Sequence, residues 1–122
     1  MKLLDTNILI YAGKTEYAYL RSLLTDTKNV VSVISKVESL GFHGIQPEEK
    51  RFLKGVFTLL SVLPISDKIV KKTIEVRFQN RMKLGDAFIA ATAIIHNCPF
   101  YTRNTKDFKN IEGLEVINPI NP

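Results

Sequence analysis

The chain has 122 residues, 45% hydrophobic and 24% charged, which suits one folded domain with its own core and excludes a disordered chain. Its 17 Lys and Arg against 12 Asp and Glu leave a formal net charge of +5, a mild excess that favours a polyanionic partner. The one cysteine, Cys98, excludes an internal disulfide, and nothing near it has zinc-ligand spacing.

Residues 2–5 read as a short buried strand, followed by a helix that starts at Thr6 and Asn7. Residues 17–24 read as helical, with Leu20, Leu23 and Leu24 on one side. The β-branched segment 30–34 reads as a second buried strand. Ser35 is placed to cap the next helix, and Glu38 three residues on completes a capping-box pattern. Gly41 and Gly44 loosen that helix's end. Pro47, Glu48 and Glu49 open another, since proline is tolerated in a first turn and acids suit its positive end. Phe52, Val56 and Leu60 recur along it at helical spacing. Residues 61–65 read as a short strand broken by Pro64. Ser66 and Asp67 cap a helix whose apolar stripe is Val70, Ile74 and Phe78. A small-residue helix spans about 85–95, and 99–102 and 115–117 read as the last strands. There are no repeats or linkers, so residues 1–122 are expected to form a single domain.

Strands that alternate with helices predict an α/β fold, a parallel sheet covered on both faces. No apolar stretch approaches the length of a membrane span, and Asp5 breaks the first apolar run too early for a signal peptide. A cytoplasmic protein with no membrane association is expected.

Four acids sit at the edges of apolar elements: Asp5, Glu38, Asp86 and Asp107. Each has a local explanation. Asp5 can cap the first helix, Glu38 can complete a capping box, Asp86 can cap the small-residue helix, and Asp107 can bond its own loop backbone. The topology favours a joint explanation. Asp5 closes the first strand, Glu38 follows the second, and the Arg103–Asp107 loop follows the fourth, so all three fall on the rim where parallel sheets bind ligands. Clustered carboxylates offer the oxygen donors that Mg²⁺ and Mn²⁺ prefer, and a cation held there activates water and stabilises charge on a phosphate. His43 and His96 have no placement beside a Ser or Cys nucleophile, and no glycine-rich phosphate loop is present. Lys68, Lys71, Lys72, Arg77, Arg81 and Lys83 crowd one segment, and Lys50, Arg51 and Lys54 another. Such runs are ordinarily solvated helix faces, but beside an acidic metal site they also suit a phosphate backbone.

The motifs Asp5-Thr6-Asn7, Ser35-x-x-Glu38, Gly85-Asp86 leading into Ile89-Ala90-Ala91, and Thr102-Arg103-Asn104-x-x-Asp107-Phe108 occur in order along nearly the whole chain. Together with the closing Gly113-Leu114 and Val116-Ile117-Asn118-Pro119, they resemble the PIN-domain family, more narrowly its VapC-type ribonuclease toxins. The resemblance implies a three-layer α/β/α sandwich and an Mg²⁺- or Mn²⁺-dependent endoribonuclease that leaves a 5′-phosphate and a 3′-hydroxyl. It also implies a homodimer and a small cognate antitoxin. By the same resemblance Asp5, Glu38 and Asp86 hold the metal, Thr6 and Asn7 shape the turn that orients Asp5, and Thr102 hydrogen-bonds within the site. The fourth acidic place of many relatives falls here on Asn104, with Asp107 three residues later. A neutral Asn104 positions a water or phosphate without neutralising metal charge, so either Asp107 supplies the fourth carboxylate or the site has three, and a second metal arrives at most with the RNA. Arg103, Lys68, Lys72 and Arg81 are candidates for the RNA backbone. Two other readings stand beside this one: a phosphotransfer or phosphatase domain with an aspartyl nucleophile, and a PIN-like module that grips RNA or a partner without cutting.

Overall fold

The computed structural model describes residues 1–120. Among them β1 (Leu3–Leu4), β2 (Val30–Ser32), β3 (Ser61–Leu63), β4 (Phe100–Tyr101) and β5 (Val116–Ile117) form one five-stranded sheet in the order β3-β2-β1-β4-β5. Every pairing is parallel. The helices are α1 (Thr6–Ala12), α2 (Arg21–Thr25), α3 (Val33–Leu40), α4 (Pro47–Leu59), α5 (Asp67–Gln79) and α6 (Leu84–Ile95), with 3₁₀ turns at Thr15–Leu20 and Thr105–Phe108.

The side-chain period of a strand sorts the core into two halves. Leu3, Val30 and Phe100 pack with Val76, Ala90, Ala93 and Phe108 on one face of the sheet. Leu4 and Val31 pack with Leu9, Leu20, Leu53 and Phe57 on the other. Both faces of β1 and β2 are therefore buried, which is why these strands read as continuous apolar runs. The result is the expected α/β/α sandwich. The chain builds outward from β1 through β2 to β3, then returns to lay β4 on the other side of β1. Strand order reverses between β1 and β4, so a ligand crevice is expected beyond their carboxyl ends. Asp5 and Thr102 stand there, the Asp5 N–H donating to Tyr101 O at 2.9 Å and the Thr102 N–H to Ile117 O at 2.9 Å.

Four local expectations are corrected. The second strand ends at Ser32, whose Oγ accepts from the Ile34 N–H at 3.0 Å and caps α3. Val33 and Ile34 are helical in spite of their β propensity, because the cap and the tertiary packing of α3 outweigh an intrinsic preference. Ser35 is thus not a cap but a buried residue inside α3, and Glu38 is no part of a capping box. That motif belongs to α4, between Gln46 and Glu49. In α5 the core-facing residues are Ile69, Thr73 and Val76. The stripe Val70, Ile74 and Phe78 is helical in spacing but faces outward, 40%, 65% and 90% exposed. With Met82, Leu84 and Phe88 it lines an open groove of about 770 Å³. The segment 17–24 is split, since a break at Tyr17 interrupts the 3₁₀ turn before α2 begins. Among the described residues no helix is long and apolar enough to cross a membrane.

Candidate active site

Asp5 leaves β1 in extended conformation and becomes the N-cap of α1. Its Oδ1 accepts from the Thr6 N–H at 2.8 Å. Its Oδ2 accepts from the Thr102 hydroxyl at 2.7 Å and from the Asn7 amide at 3.2 Å. The capping role is real but occupies one oxygen; the other is held by residues from across the sheet reversal. The residue is 7% exposed. Burial pushes its carboxyl from the usual 3.8 up to about 6, the Thr102 and Thr6 hydrogen bonds oppose that rise, and the Asp86 and Glu38 charges add to it.

Thr102 is buried and fully engaged. Besides donating to Asp5, its Oγ accepts from the Asn104 N–H at 3.0 Å and from the Asn7 amide at 3.3 Å. Asn7 in turn accepts the Arg103 N–H on its Oδ1 at 3.2 Å, so one side chain ties the end of β1 to the loop after β4. The Thr6 hydroxyl donates to Glu38 Oε1 at 3.4 Å, which joins α1 to α3.

Glu38 is exposed on α3, and its carboxyl is raised by partial burial and by Asp86, against the Thr6 hydrogen bond. It lies against the first turn of α6. A Cβ on Gly85 would stand 2.5 Å from Glu38 Oε2, so the Glu38 carboxylate in its present position occupies the space a side chain there would need. Asp86 follows it, half-buried. The N-cap of α6 is Lys83, without a side-chain bond, so the capping explanation of Asp86 does not apply. An acid in the first turn still complements the helix dipole. Partial burial raises the Asp86 carboxyl, as does Asp107, while Lys83 lowers it. Ile89, Ala90 and Ala93, along the same helix, are buried in the core as their spacing predicts.

Asp86 and Asp107 line a polar cleft of about 470 Å³ with Arg81, Lys83, Lys106 and Lys109. Asn104 is exposed and does not line it; its backbone N–H serves Thr102. Of the cationic residues expected at a backbone, Arg81 lines this cleft and Arg103 is exposed on the loop after β4. Lys68 and Lys72 lie on α5 outside it, and Lys72 pairs with Glu75 at 2.8 Å. Lys106 and Lys109 were not singled out from sequence. Their signal was the pair of lysines flanking Asp107.

The four acids form an electrostatic chain, Glu38 and Asp5 each coupled to Asp86, and Asp86 to Asp107. Hard oxygen donors of this kind suit Mg²⁺ or Mn²⁺ with water and substrate completing the shell. As the side chains stand, no three acidic, imidazole or thiol groups among the described residues are gathered closely enough to hold an ion together.

The fold that sets a buried aspartate, coupled to further acids, at the reversal point of a parallel sheet is matched by the PIN-domain family over residues 2–114. The chain belongs to that family. It is 30% identical to Ribonuclease VapC of Rickettsia bellii over 94% of this chain and 93% of that protein. A solved toxin–antitoxin complex from Klebsiella pneumoniae contains a chain that superposes with a TM-score of 0.79 at 30% identity, covering 100% of both chains. VapBC2 of Rickettsia felis, solved bound to a DNA fragment from its promoter, matches with a TM-score of 0.79 at 25% identity, over 96% of this chain and 97% of that one.

Proposed function

We propose that this chain is the ribonuclease toxin of a toxin–antitoxin pair, a divalent-metal-dependent endoribonuclease that acts in the cytoplasm. The observation that carries the reading is Asp5: a buried carboxylate, fixed by Thr6, Asn7 and Thr102 and coupled to Glu38 and Asp86, at the mouth of the sheet reversal. The VapC name of the relatives and the toxin–antitoxin origin of the structural neighbours support it.

In this reading Asp5, Glu38 and Asp86 hold the cation, with Asp107 rather than Asn104 as the fourth acid because Asp107 shares the cleft and the coupling with Asp86. Mg²⁺ or Mn²⁺ held there supplies positive charge at the scissile phosphate and makes water a better nucleophile. The chain's own residues do the rest. Thr102 and Asn7 lock the Asp5 rotamer, and Thr6 steadies Glu38. Asp107 orients the attacking water. That water adds to phosphorus as the bond to the 3′ oxygen breaks and the leaving oxygen takes a proton, giving a 5′-phosphate and a 3′-hydroxyl. Arg81, Lys83, Lys106 and Lys109 attract the phosphate backbone to the cleft beside the acids. The exposed apolar face of Val70, Ile74 and Phe78 supports a homodimer, since a single-chain surface seldom leaves such a stripe uncovered.

The aspartyl-nucleophile reading is the weaker one. Both Asp5 oxygens already accept hydrogen bonds, and Asn7 stands where a second aspartate would be needed. The test is cleavage of a mixed RNA pool with Mg²⁺, Mn²⁺ or EDTA, comparing wild type with Asp5→Asn, both freed of any co-expressed partner. Metal-dependent cutting that is lost in the variant, by at least about 100-fold, is expected. RNA binding without cutting by the folded wild type would instead make it a binding module.

A further inference from the structure

We infer that Tyr11 is a platform that holds the Arg103 guanidinium for a backbone phosphate of the RNA, next to the cut; the inference rests on the ribonuclease reading above. Tyr11 lies in the last turns of α1, half-buried, and its ring is braced edge-on by Tyr17 with centroids 4.8 Å apart at 81°. The Arg103 guanidinium carbon lies over this ring, 5.1 Å from its centroid. The Arg103 backbone is fixed too. Its N–H donates to Asn7, and the Asn7 amide donates to Asp5, so two hydrogen bonds join the backbone of this arginine to the central carboxylate.

What the guanidinium does not do is equally informative. The Arg103 backbone follows Thr102 at the site, and among the described residues the one ion pair within 4.0 Å joins Lys72 to Glu75. A salt bridge would neutralise the arginine and would have to break before it met a phosphate. An aromatic face attracts the cation without neutralising it. A guanidinium over a ring also keeps its in-plane N–H donors free for a bidentate phosphate contact. Lys14 Nζ lies 5.0 Å from the same centroid and adds positive potential, but it lines a cavity with Glu48 and Glu49, so the phosphate is assigned to Arg103. Neither Tyr11 nor Arg103 lines the Arg81–Lys109 cleft. In this proposal the RNA meets cations at two separate places, the cleft and the Tyr11 ring.

The test reads binding of labelled random-sequence single-stranded RNA across a KCl series, using the full chain in a non-cutting Asp86→Asn background. Arg103→Ala and Tyr11→Leu are each expected to weaken binding about 3- to 10-fold and to lower the magnitude of the log K against log salt slope by about 1. Tyr11→Phe is expected to retain parental affinity and slope, and the Tyr11→Leu/Arg103→Ala double to bind no more weakly than Arg103→Ala alone. Parental binding by Tyr11→Leu, failure of Tyr11→Phe to retain it, or additive losses in the double would overturn the platform. Should Tyr11→Leu not fold, as read by circular dichroism, Arg103→Ala and Arg103→Gln with Tyr11 intact decide, and an unchanged slope in both overturns it. Wild-type cleavage is scored separately. These binding signatures with no metal-dependent cutting would sink the ribonuclease reading and leave the platform standing.

Discussion

Asp5 shows how a single side chain serves structure and chemistry together. A carboxylate buried this deeply is tolerated because three donors surround it, yet its pKa still lies near 6, so the folded protein holds this proton more tightly than the unfolded chain does. The stability from that difference is fully present below about pH 3.8 and is lost as pH rises through about 6. In metal-free buffer the wild type should therefore melt at a lower temperature at pH 7.5 than at pH 5, and Asp5→Asn should flatten the difference. The full linkage is about 3 kcal/mol, of which the window from pH 5 to pH 7.5 takes up about 1.4 kcal/mol. In either amide orientation asparagine sets its NH₂ against a donor, the Thr6 N–H on one side or Thr102 and Asn7 on the other, so the net gain of the variant at pH 7.5 should be nearer 1 kcal/mol. A steeper pH dependence in the variant would contradict this account. Ser35 offers a second residue-scale test. Its buried Oγ has no hydrogen-bond partner. Ser35→Ala removes an unsatisfied polar atom and should raise stability by about 1 kcal/mol in urea titration.

At the scale of elements the site sets α3 against α6 with the Glu38 carboxylate in the space beside Gly85. Gly85 is the second residue of α6, where alanine would normally favour a helix. Here the added Cβ would fall 2.5 Å from Glu38 Oε2 and displace the carboxylate. Glu38 is exposed and free to swing away, so Gly85→Ala should leave the melting temperature within about 2 °C of wild type, a shift below 1 kcal/mol. It should lower kcat on RNA at least about tenfold by moving one acid of the cluster. Unchanged kcat would show that Glu38 is not needed in its present position. Gly85-Asp86 was legible as a motif, but the reason for its glycine was not. The carboxylate that occupies that space lies on another helix.

At the scale of the whole molecule two surfaces carry the proposed partnerships: the acid-lined rim at the sheet reversal, and the apolar groove along α5 and α6. If the groove is the seat of a homodimer, Phe78→Glu puts a charge at its centre. That variant should elute as a monomer in light-scattering chromatography while keeping its fold, since Phe78 is 90% exposed and contributes little to the core. A dimer that persists in Phe78→Glu would move the interface elsewhere. The stripe itself was visible in the periodicity of residues 70, 74 and 78, but periodicity identifies a face and not its direction. Ile69, Thr73 and Val76 form the neighbouring face, and packing against α6 and the sheet selected it for the core.

Taken alone, the sequence determined the alternation of strands and helices, hence a parallel sheet, and the presence of carboxylates at the ends of its apolar elements. These follow from local rules: burial runs, helix-opening residues and the cost of an acid inside an apolar segment. It did not determine that α3 begins at Val33, because Val-Ser-Val-Ile suits a strand locally and only packing makes it a helix. Nor did it show that Asp107, Lys106 and Lys109 share a cleft with Asp86 while Asn104 and the lysines of α5 lie outside it. Which residues share a cleft is a tertiary matter, since residues far apart in the chain meet there only because β4 is laid beside β1. The bond from Thr102 to Asp5, 97 residues apart, is made by that single topological step.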